Sequence, residues 1–352
     1  MPKGDLLEFV RSEVRGVVYH NSILDEMRLG GRNYPRTGRY LIEVDEPQLD
    51  ELYLTIVSIL NEPVNKVMWK VSIDGLNITR EFKPQVVNES SIGSIYATHV
   101  FDLSKIVRVG KTYALMITFD SSKPVIIDGI ELIGVRRVEG VLTEVSYMAG
   151  CVLLNPSEAY SIKPSPSKPG PYNLSLFMNV PSRSAAVDIT LNNMHLKTLN
   201  GLLGLSNVQL PSLHLTQDGV LIIKHKEATE MYHPRFISIY SLLNYSMSCR
   251  GPEVTMTLDE ISCKGDECNV SIIIRNEGDL TCDNVMVVGF SAGNILIRDV
   301  INAVRAGEEV RKNYRISARS ADTRVVLKAI YRRFGRLFEE ASDKPLRFDN
   351  GY

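Results

Sequence analysis

Apolar and polar side chains alternate in short segments along the whole chain, and this pattern constrains the fold more than any other feature of the sequence. In residues 66–73, Val67 and Trp69 share one face with further apolar residues, while lysines lie opposite. Turn-forming residues separate such segments at intervals of about ten residues, as in sandwiches and jelly rolls. The sequence therefore predicts an all-β protein with Trp69 in a core. Helix signals are few: residues 5–14 suggest a short amphipathic helix, and the Leu/Gly stretch at 199–206 is ambiguous.

A set of motifs in the first part of the chain recurs in the same order further on, which indicates an internal repeat. The proposed matches are Gly16–Asn21 with Gly150–Asn155, Tyr34–Leu41 with Lys168–Leu174, Ser72–Gly75 with Thr190–Asn193, Gly110–Tyr113 with Gly219–Ile222, and Pro124–Ile133 with Pro234–Leu243. The last match places Ser238 opposite Asp128. Tandem duplication of one β domain, with a shorter second copy, explains the repeat better than chance does. For a chain of 352 residues we expect domains at 1–140, 141–250 and 251–352.

The first copy carries four motifs in the order found in a known family. They are Gly38-x-Tyr40-Leu41-Ile42, Val71-Ser72-Ile73-Asp74-Gly75, Phe101-Asp102-Leu103-Ser104 with Val109-Gly110-Lys111-Thr112, and Ile127-Asp128-Gly129-Ile130-Glu131-Leu132. Over residues 16–138 the chain resembles the galactose-binding-like jelly roll of carbohydrate-binding modules. The resemblance implies two tandem jelly-roll β-sandwiches.

The same resemblance directs attention to loop residues that would contact a sugar. The candidates are Asn33, Tyr34, Asp128, Tyr232 and His233. Each has a simpler interpretation, since an exposed loop tyrosine needs no ligand and Asp128 suits a hydrogen bond within a strand. The single tryptophan also weakens the sugar-binding hypothesis, because its phase places it in a core.

The last third carries a different motif set. Ile274-Arg275-Asn276-Glu277-Gly278, Val304-Arg305-Ala306-Gly307-Glu308 and Glu339-Glu340 occur in order. Residues 251–349 thus resemble the immunoglobulin-like CARDB domain of prokaryotic surface proteins, which implies a spacer or interaction module. Asn276 and Gly278 are predicted to form a corner with positive φ, and Ala306-Gly307 a tight hairpin.

The cysteines and the charge pattern leave alternatives open. Cys263 and Cys268 flank a turn sequence, so they predict a hairpin disulfide, two free thiols or half of a metal site. A basic run in the last domain includes Arg305, Arg311, Lys312, Arg315, Arg332 and Arg333. This run predicts either a protected sheet edge or a patch for an anionic polymer. Across the chain, 40 basic residues balance 41 acidic ones, which disfavours nucleic acid as a partner.

Motif searches identify no catalytic constellation, metal site or cofactor-binding loop in the sequence. His225, Glu227 and His233 form the densest group of candidate metal ligands. On a strand His225 and Glu227 would share a face, but the third ligand that a metal site needs cannot be assigned. We expect a non-catalytic protein of adhesion, scaffolding or surface assembly that binds other proteins, itself or surface glycans. The alternatives are a carbohydrate-binding protein, an unrecognised glycoside-active enzyme and an intracellular assembly protein.

The expected compartment is the cell surface or the extracellular space, without a membrane span. The cytoplasm is the alternative, because no apolar run of signal-peptide length follows Met1. Only four glutamines occur, which is typical of thermophiles and fits an archaeal or prokaryotic source, although asparagine is plentiful.

Overall fold

The computed structural model describes residues 2–44, 49–107, 111–138, 140–226, 236–264, 267–291, 294–317, 324–333, 336–341 and 346–347. These residues form antiparallel β-sheets, with one short 3-10 turn at Val64–Lys66. The predicted all-β class built of sandwiches is therefore confirmed. Within this part of the chain, no helix has the length and apolar character needed to cross a membrane. The chain divides into two compact units, Met1–Met247 and Ser248–Tyr352.

The strands of the first unit fall into two groups that follow one another along the chain. The first group is β1 (Lys3–Arg15), β2 (Val17–Ile23), β3 (Met27–Gly30), β4 (Thr37–Val44), β5 (Leu49–Leu60), β6 (Trp69–Ile73), β7 (Leu76–Thr79), β8 (Val86–Glu89), β9 (Ile95–Asp102), β10 (Lys111–Phe119) and β11 (Pro124–Arg136). The second group is β12 (Leu142–Leu154), β13 (Ala159–Ile162), β14 (Gly170–Val180), β15 (Val187–Leu191), β16 (Met194–Leu199), β17 (Gly204–Leu215), β18 (Leu221–His225) and β19 (Ile237–Met247).

Four sheets form two sandwiches in the first unit. Inner sheet 1 has the order β2-β11-β5-β9-β8, with β3 also paired to β11, and outer sheet 1 has the order β4-β10-β6-β7. Inner sheet 2 has the order β1-β12-β19-β14-β17, and outer sheet 2 has the order β13-β18-β15-β16. One apolar core fills each sandwich. Further clusters of buried residues join the two inner sheets, which therefore pack against each other.

The strand orders reproduce the internal repeat. The order β2-β11-β5-β9 of inner sheet 1 corresponds to β12-β19-β14-β17 of inner sheet 2, and the outer sheets correspond strand for strand. The matching hairpins also share their contacts. Asp74 and Asn192 both have positive φ, and their side chains accept the N–H groups of Ala114 and Val220, each at 2.8 Å. Tandem duplication thus explains both the topology and the turn chemistry.

The proposed match of Tyr34–Leu41 with Lys168–Leu174 is wrong. Tyr40 lies on β4 in outer sheet 1, whereas Tyr172 lies on β14 in inner sheet 2. The strand orders make β5, not β4, the counterpart of β14. A Tyr-Leu strand preceded by turn residues occurs in both copies, and this local likeness misled the alignment.

The N-terminal segment forms a strand and not the helix expected for residues 5–14. Strand β1 pairs with β12 along its whole length, although only Leu6 and Val10 are buried. The chain then passes through Gly16 into β2 of inner sheet 1. Long-range pairing overrides the weak helical periodicity. As a result, the first strand completes the sheet of the second sandwich.

The predicted core position of Trp69 is confirmed. It is 4% exposed and belongs to the core of the first sandwich. Its indole N–H donates to the carbonyl of Glu81 at 2.9 Å, and its ring contacts Phe82, with centroids 4.7 Å apart.

The second unit is a separate sandwich with its own core. Its strands are β20 (Val254–Lys264), β21 (Glu267–Asn276), β22 (Cys282–Ser291), β23 (Asn294–Val304), β24 (Glu309–Ser317), β25 (Arg324–Arg333), β26 (Arg336–Ala341) and β27 (Leu346–Arg347). A three-stranded sheet has the order β20-β21-β24. A second sheet has the order β23-β22-β25-β26, with β27 paired to β25.

The corner after β21 differs from its prediction, because neither Asn276 nor Gly278 has a positive φ. The Asn276 side chain is buried and donates to the carbonyls of Leu280 and Val304, while its oxygen accepts two backbone N–H groups. A Cβ at Gly278 would lie 2.0 Å from the carbonyl oxygen of Gly251. Hydrogen bonding and close approach therefore explain these residue types. Gly307 does have a positive φ of 70°, as a tight hairpin requires.

Candidate functional site

Two equivalent β-bulges direct polar side chains into the space between the inner sheets. On β11 the pairing with β5 shifts between Ile127 and Gly129, so Asp128 is the extra residue. On β19 the pairing with β14 shifts in the same way, and Tyr240 is the extra residue. Because a bulge reverses the alternation of side chains, Asp128 and Glu131 both face inner sheet 2 although they are three positions apart. The residue equivalent to Asp128 is therefore Tyr240, and the predicted match with Ser238 is wrong.

The two bulged side chains meet in the interface. The Tyr240 hydroxyl donates to Asp128 Oδ2, and Asn179 Nδ2 donates to both oxygens of the same carboxylate at 2.9 and 3.0 Å. Asp128 is 1% exposed. Burial raises the pKa of the Asp128 carboxyl, and the bonds from Tyr240 and Asn179 oppose that rise only in part.

A second carboxylate, that of Glu131, is completely buried nearby and accepts three hydrogen bonds. His20 Nε2 donates to Oε1 at 2.6 Å, the Tyr147 hydroxyl donates to Oε2 at 3.0 Å, and Ser241 Oγ donates to Oε2 at 2.5 Å. Thr55 Oγ1 lies 2.6 Å from the Tyr147 hydroxyl and supplies its hydrogen to that oxygen. These partners come from both inner sheets, so the carboxylate joins the two sandwiches.

The polar cluster continues from His20 towards the surface. Asn207 Nδ2 lies 3.3 Å from His20 Nε2 and donates to Ser22 Oγ at 3.1 Å. The oxygen of Asn207 accepts from Ser175 at 2.5 Å and from Gln209 at 2.6 Å. Asn207, Gln209 and Ser22 are half-buried. The interface therefore ends in a rim of amide and hydroxyl groups beside β17.

Gly129 allows this close packing of the inner sheets. A Cβ at this position would lie 2.7 Å from two ring atoms of Phe177 on β14. A side chain there would push the sheets apart, since real Cβ atoms essentially never approach so closely. The bulge and the glycine together fix the distance between the two sandwiches.

A cleft of about 1050 Å³ opens at the other end of β11. Its lining includes apolar side chains and the charged residues Arg15, Asp50, Glu51 and Arg137. Arg137 Nε lies 3.0 Å from Asp50 Oδ2. Burial, with smaller contributions from Asp102 and Asp50, raises the pKa of the Glu51 carboxyl. The cleft thus holds one ion pair and one carboxyl group with a raised pKa.

Among the described residues, the predicted ligand residues Asn33, Tyr34 and Asp128 do not form one site. Asp128 is buried between the inner sheets, whereas Asn33 and Tyr34 lie in an exposed loop. Arg28 donates from Nη1 to the Tyr34 hydroxyl at 3.4 Å and lies 6.0 Å from the ring centroid. Tyr232 and His233 lie outside the described residues. A ligand role for these residues stays a prediction, and the burial of Asp128 favours a structural role there.

The predicted basic patch is divided between two sheets of the second unit. Arg311, Lys312 and Arg315 lie on β24, and Arg332 and Arg333 lie on β25, while Arg305 lies in the turn before β24. Ion pairs join Arg311 to Asp259 at 3.3 Å, Lys312 to Asp299 at 3.1 Å, and Arg315 to Glu267. The acidic partners come from neighbouring strands, so a count of charged residues within the basic run does not include them.

The structure bears on the predicted cysteine chemistry at the β20–β21 hairpin. Cys263 and Cys268 occupy opposite register positions on β20 and β21. Cys268 is disulfide-bonded, and Cys151, Cys249 and Cys282 are free thiols. Among the described residues, no group of three His, Cys, Asp or Glu side chains is placed to share a metal ion.

Sequence reasoning missed Glu131 and His20. The available signal was a single polar residue within an apolar run, since Glu131 lies in Ile130–Ile133 and His20 follows Val17–Tyr19. Such a residue suggests a buried hydrogen-bonded group. Only the tertiary structure shows that the two side chains are partners.

Comparison with known proteins identifies no family. No family model matches the chain, and no curated protein matches it. Distant structural similarity exists to part of a Ruminococcus gnavus beta-glucuronidase, with 11% identity and a TM-score of 0.22. This match covers 58% of the present chain and 36% of the enzyme. A Bacteroides uniformis beta-glucuronidase matches with 12% identity and a TM-score of 0.22, covering 58% of this chain and 26% of that one. Similarity at this level supports no functional inference.

Proposed function

We propose that the protein is a non-catalytic adhesion, scaffolding or surface-assembly protein, in which the first unit is a rigid double sandwich. One observation carries the proposal. Three titratable side chains at the interface between the inner sheets, Asp128, Glu131 and His20, are at most 3% exposed and are hydrogen-bonded there. Groups fixed in this way connect two sheets and offer no access to a substrate.

Contacts along the rest of the interface support the same role. Thr98 Oγ1 on β9 donates to the Gly150 carbonyl at 2.8 Å, and Asn88 on β8 donates to the carbonyl of Cys151. Strand β1 adds a covalent connection, because it belongs to inner sheet 2 and continues directly into inner sheet 1. The two sandwiches are thus joined by several contacts and by one continuous chain segment, as a spacer or scaffold would require.

The surface location proposed for the protein has support from the second unit. Disulfides persist in oxidising compartments and are rare in reducing cytosol. Cys268 is disulfide-bonded in the β20–β21 hairpin. An intracellular assembly protein from a thermophile is the competing explanation, since such proteins also carry disulfides.

Two measurements test the proposal. The purified chain is assayed by sedimentation for binding to insoluble cell envelope and by analytical ultracentrifugation for self-association. Saturable envelope binding or assembly, together with no turnover of a panel of aryl glycosides and polysaccharides, is the expected result. Glycoside turnover that is lost in Glu51→Gln would refute the proposal, because Glu51 is the carboxyl group with a raised pKa in the cleft.

Carbohydrate binding through the Tyr34 loop is the second candidate function. Tyr34 and Phe338 are the exposed aromatic side chains among the described residues, and Phe338 stacks on Tyr331 at 5.9 Å. Among the described residues of the first unit, Tyr34 therefore offers an exposed aromatic ring for stacking. A glycan array with wild type and Tyr34→Ala separates the two functions. Loss of a glycan signal in the variant would favour carbohydrate binding, and the absence of any signal in wild type would exclude it.

A further inference from the structure

Five Asn-x-Ser/Thr sequons occur in the chain, and the structure separates them into two groups. The asparagines are Asn77 on β7, Asn88 on β8, Asn173 on β14, Asn244 on β19 and Asn269 on β21. N-glycosylation attaches a bulky sugar to the side-chain nitrogen, so an acceptor asparagine must be at the surface. Burial and hydrogen bonding therefore decide which of these sequons can carry a glycan in the folded protein.

In three sequons the asparagine side chain already has a structural role. Asn244 is 3% exposed, and its Nδ2 donates to the Pro164 carbonyl at 3.1 Å. Asn88 Nδ2 donates to a carbonyl of β12 across the interface between the inner sheets. Asn173 is half-buried, and its oxygen accepts the N–H of Ser212 at 3.2 Å. A glycan on Asn244 or Asn88 would replace one hydrogen of the donating Nδ2 and require space inside the first unit.

Asn77 and Asn269 are exposed. Asn77 lies on the edge strand of outer sheet 1, just after the Asp74 turn. Asn269 lies on the outward face of the three-stranded sheet, because its neighbours Cys268 and Val270 are buried. Both side chains therefore point into solvent.

The surroundings of Asn269 suit an attached sugar. A shallow groove of about 380 Å³ beside it is lined by hydroxyl, amide and charged side chains, among them Ser262, Ser271 and Asn313. Such groups hydrogen-bond to sugar hydroxyls. The adjacent Cys268 disulfide is an independent sign of an oxidising compartment, which is where sequons in secreted proteins become modified.

We propose that Asn77 and Asn269 are the N-glycan acceptors of this protein and that Asn88, Asn173 and Asn244 remain unmodified. The inference rests on the proposed surface location. In the transfer, a C1–N bond forms between the sugar and Asn Nδ2, and the bond from C1 to the pyrophosphate of a lipid-linked oligosaccharide donor breaks. The lipid pyrophosphate leaves with the electron pair, and Nδ2 loses one proton. Sugar and protein undergo no oxidation or reduction.

Site-resolved peptide mass spectrometry of the protein purified from its natural cells tests the inference. The peptides containing Asn77 and Asn269 are expected to carry a glycan mass, and the other three sequons are expected at their unmodified mass. Asn77→Gln and Asn269→Gln should each remove one gel-mobility step, and the double variant should remove both. Asn88→Gln is the matched control and should leave the mobility unchanged.

Further variants and a location assay keep the outcomes distinct. Ser271→Ala removes the sequon at Asn269 while keeping the asparagine itself, so it should have the same effect as Asn269→Gln. A glycan on Asn88, Asn173 or Asn244, or retention of glycan in the double variant, would overturn the inference. Protease treatment of intact cells tests location separately. A protease-accessible protein without glycan at either site overturns only the acceptor inference, whereas a protease-protected protein overturns the surface location and the inference with it.

Discussion

His99 gives the sharpest test of the packing in the first sandwich. It lies on β9 and is 1% exposed, with ring centroids of Trp69 at 4.2 Å, Phe82 at 4.6 Å and Phe101 at 5.9 Å. Neither ring nitrogen has a hydrogen-bond partner among the described residues. The protonated ring would therefore be a buried charge surrounded by aromatic rings. Burial lowers the pKa of His99 from its ordinary value of 6.5 to about 3.

The sign and size of the effect on stability follow from this pKa. The unfolded chain binds the His99 proton more tightly than the folded protein, so stability is complete above pH 6.5 and is lost as the pH falls towards 3. One pKa unit corresponds to about 1.4 kcal/mol. Between pH 7 and pH 5, His99 should lower the free energy of unfolding by about 2 kcal/mol. The upper limit, approached only below pH 3, is about 5 kcal/mol.

Denaturant unfolding followed by tryptophan fluorescence measures this effect directly. Trp69 is the only tryptophan of the chain, so its signal reports the first sandwich alone. His99→Phe keeps an aromatic ring but removes the titrating group, and His214→Gln changes an exposed histidine as the control. From pH 7 to pH 5, wild type and His214→Gln should lose about 2 kcal/mol more than His99→Phe does. Equal losses in all three proteins would refute the reasoning.

Three further substitutions test other parts of the fold. Glu131→Ala should destabilise the first unit by about 3–5 kcal/mol in the same unfolding assay, because it removes the buried acceptor of His20; a change below about 1 kcal/mol would contradict the proposed role of the carboxylate. Gly129→Ala should also lower the stability, because the added Cβ meets the Phe177 ring. Adding Phe177→Leu to this variant should restore part of the lost stability, and purely additive effects of the two substitutions would argue against the contact. Asn276→Ala should lower the unfolding temperature of the second unit in calorimetry by several degrees and leave the Trp69 transition unchanged, because two backbone carbonyls lose their donor.

Much of the secondary structure could be predicted from neighbouring residues. The alternation around Trp69 and the turn at Asp74 encode a strand and a hairpin locally, and the structure confirms both. Strand β1 could not be predicted in the same way, because its residues carry a weak helical periodicity. Its conformation depends on pairing with β12, more than one hundred positions away.

The candidate site was less accessible to sequence reasoning. Asp128 was identified as a functional candidate, but the sequence does not encode the bulge that turns it towards Tyr240. Glu131 and His20 were missed because a buried hydrogen bond between two side chains is recognisable only when both partners are seen together. The charge of the basic run could not be judged from the run itself, because acidic residues that are distant in sequence neutralise part of it.

The sequence by itself determined the all-β class, the internal repeat and the core position of Trp69, because these features arise from the period of adjacent side chains and from turn residues. The tertiary structure alone decided how the copies join. Register shifts at Asp128 and Tyr240 turn polar side chains into one interface, and Gly129 lets the sheets approach. These features depend on pairs of residues far apart in the chain, whose contacts form only when both sandwiches have folded.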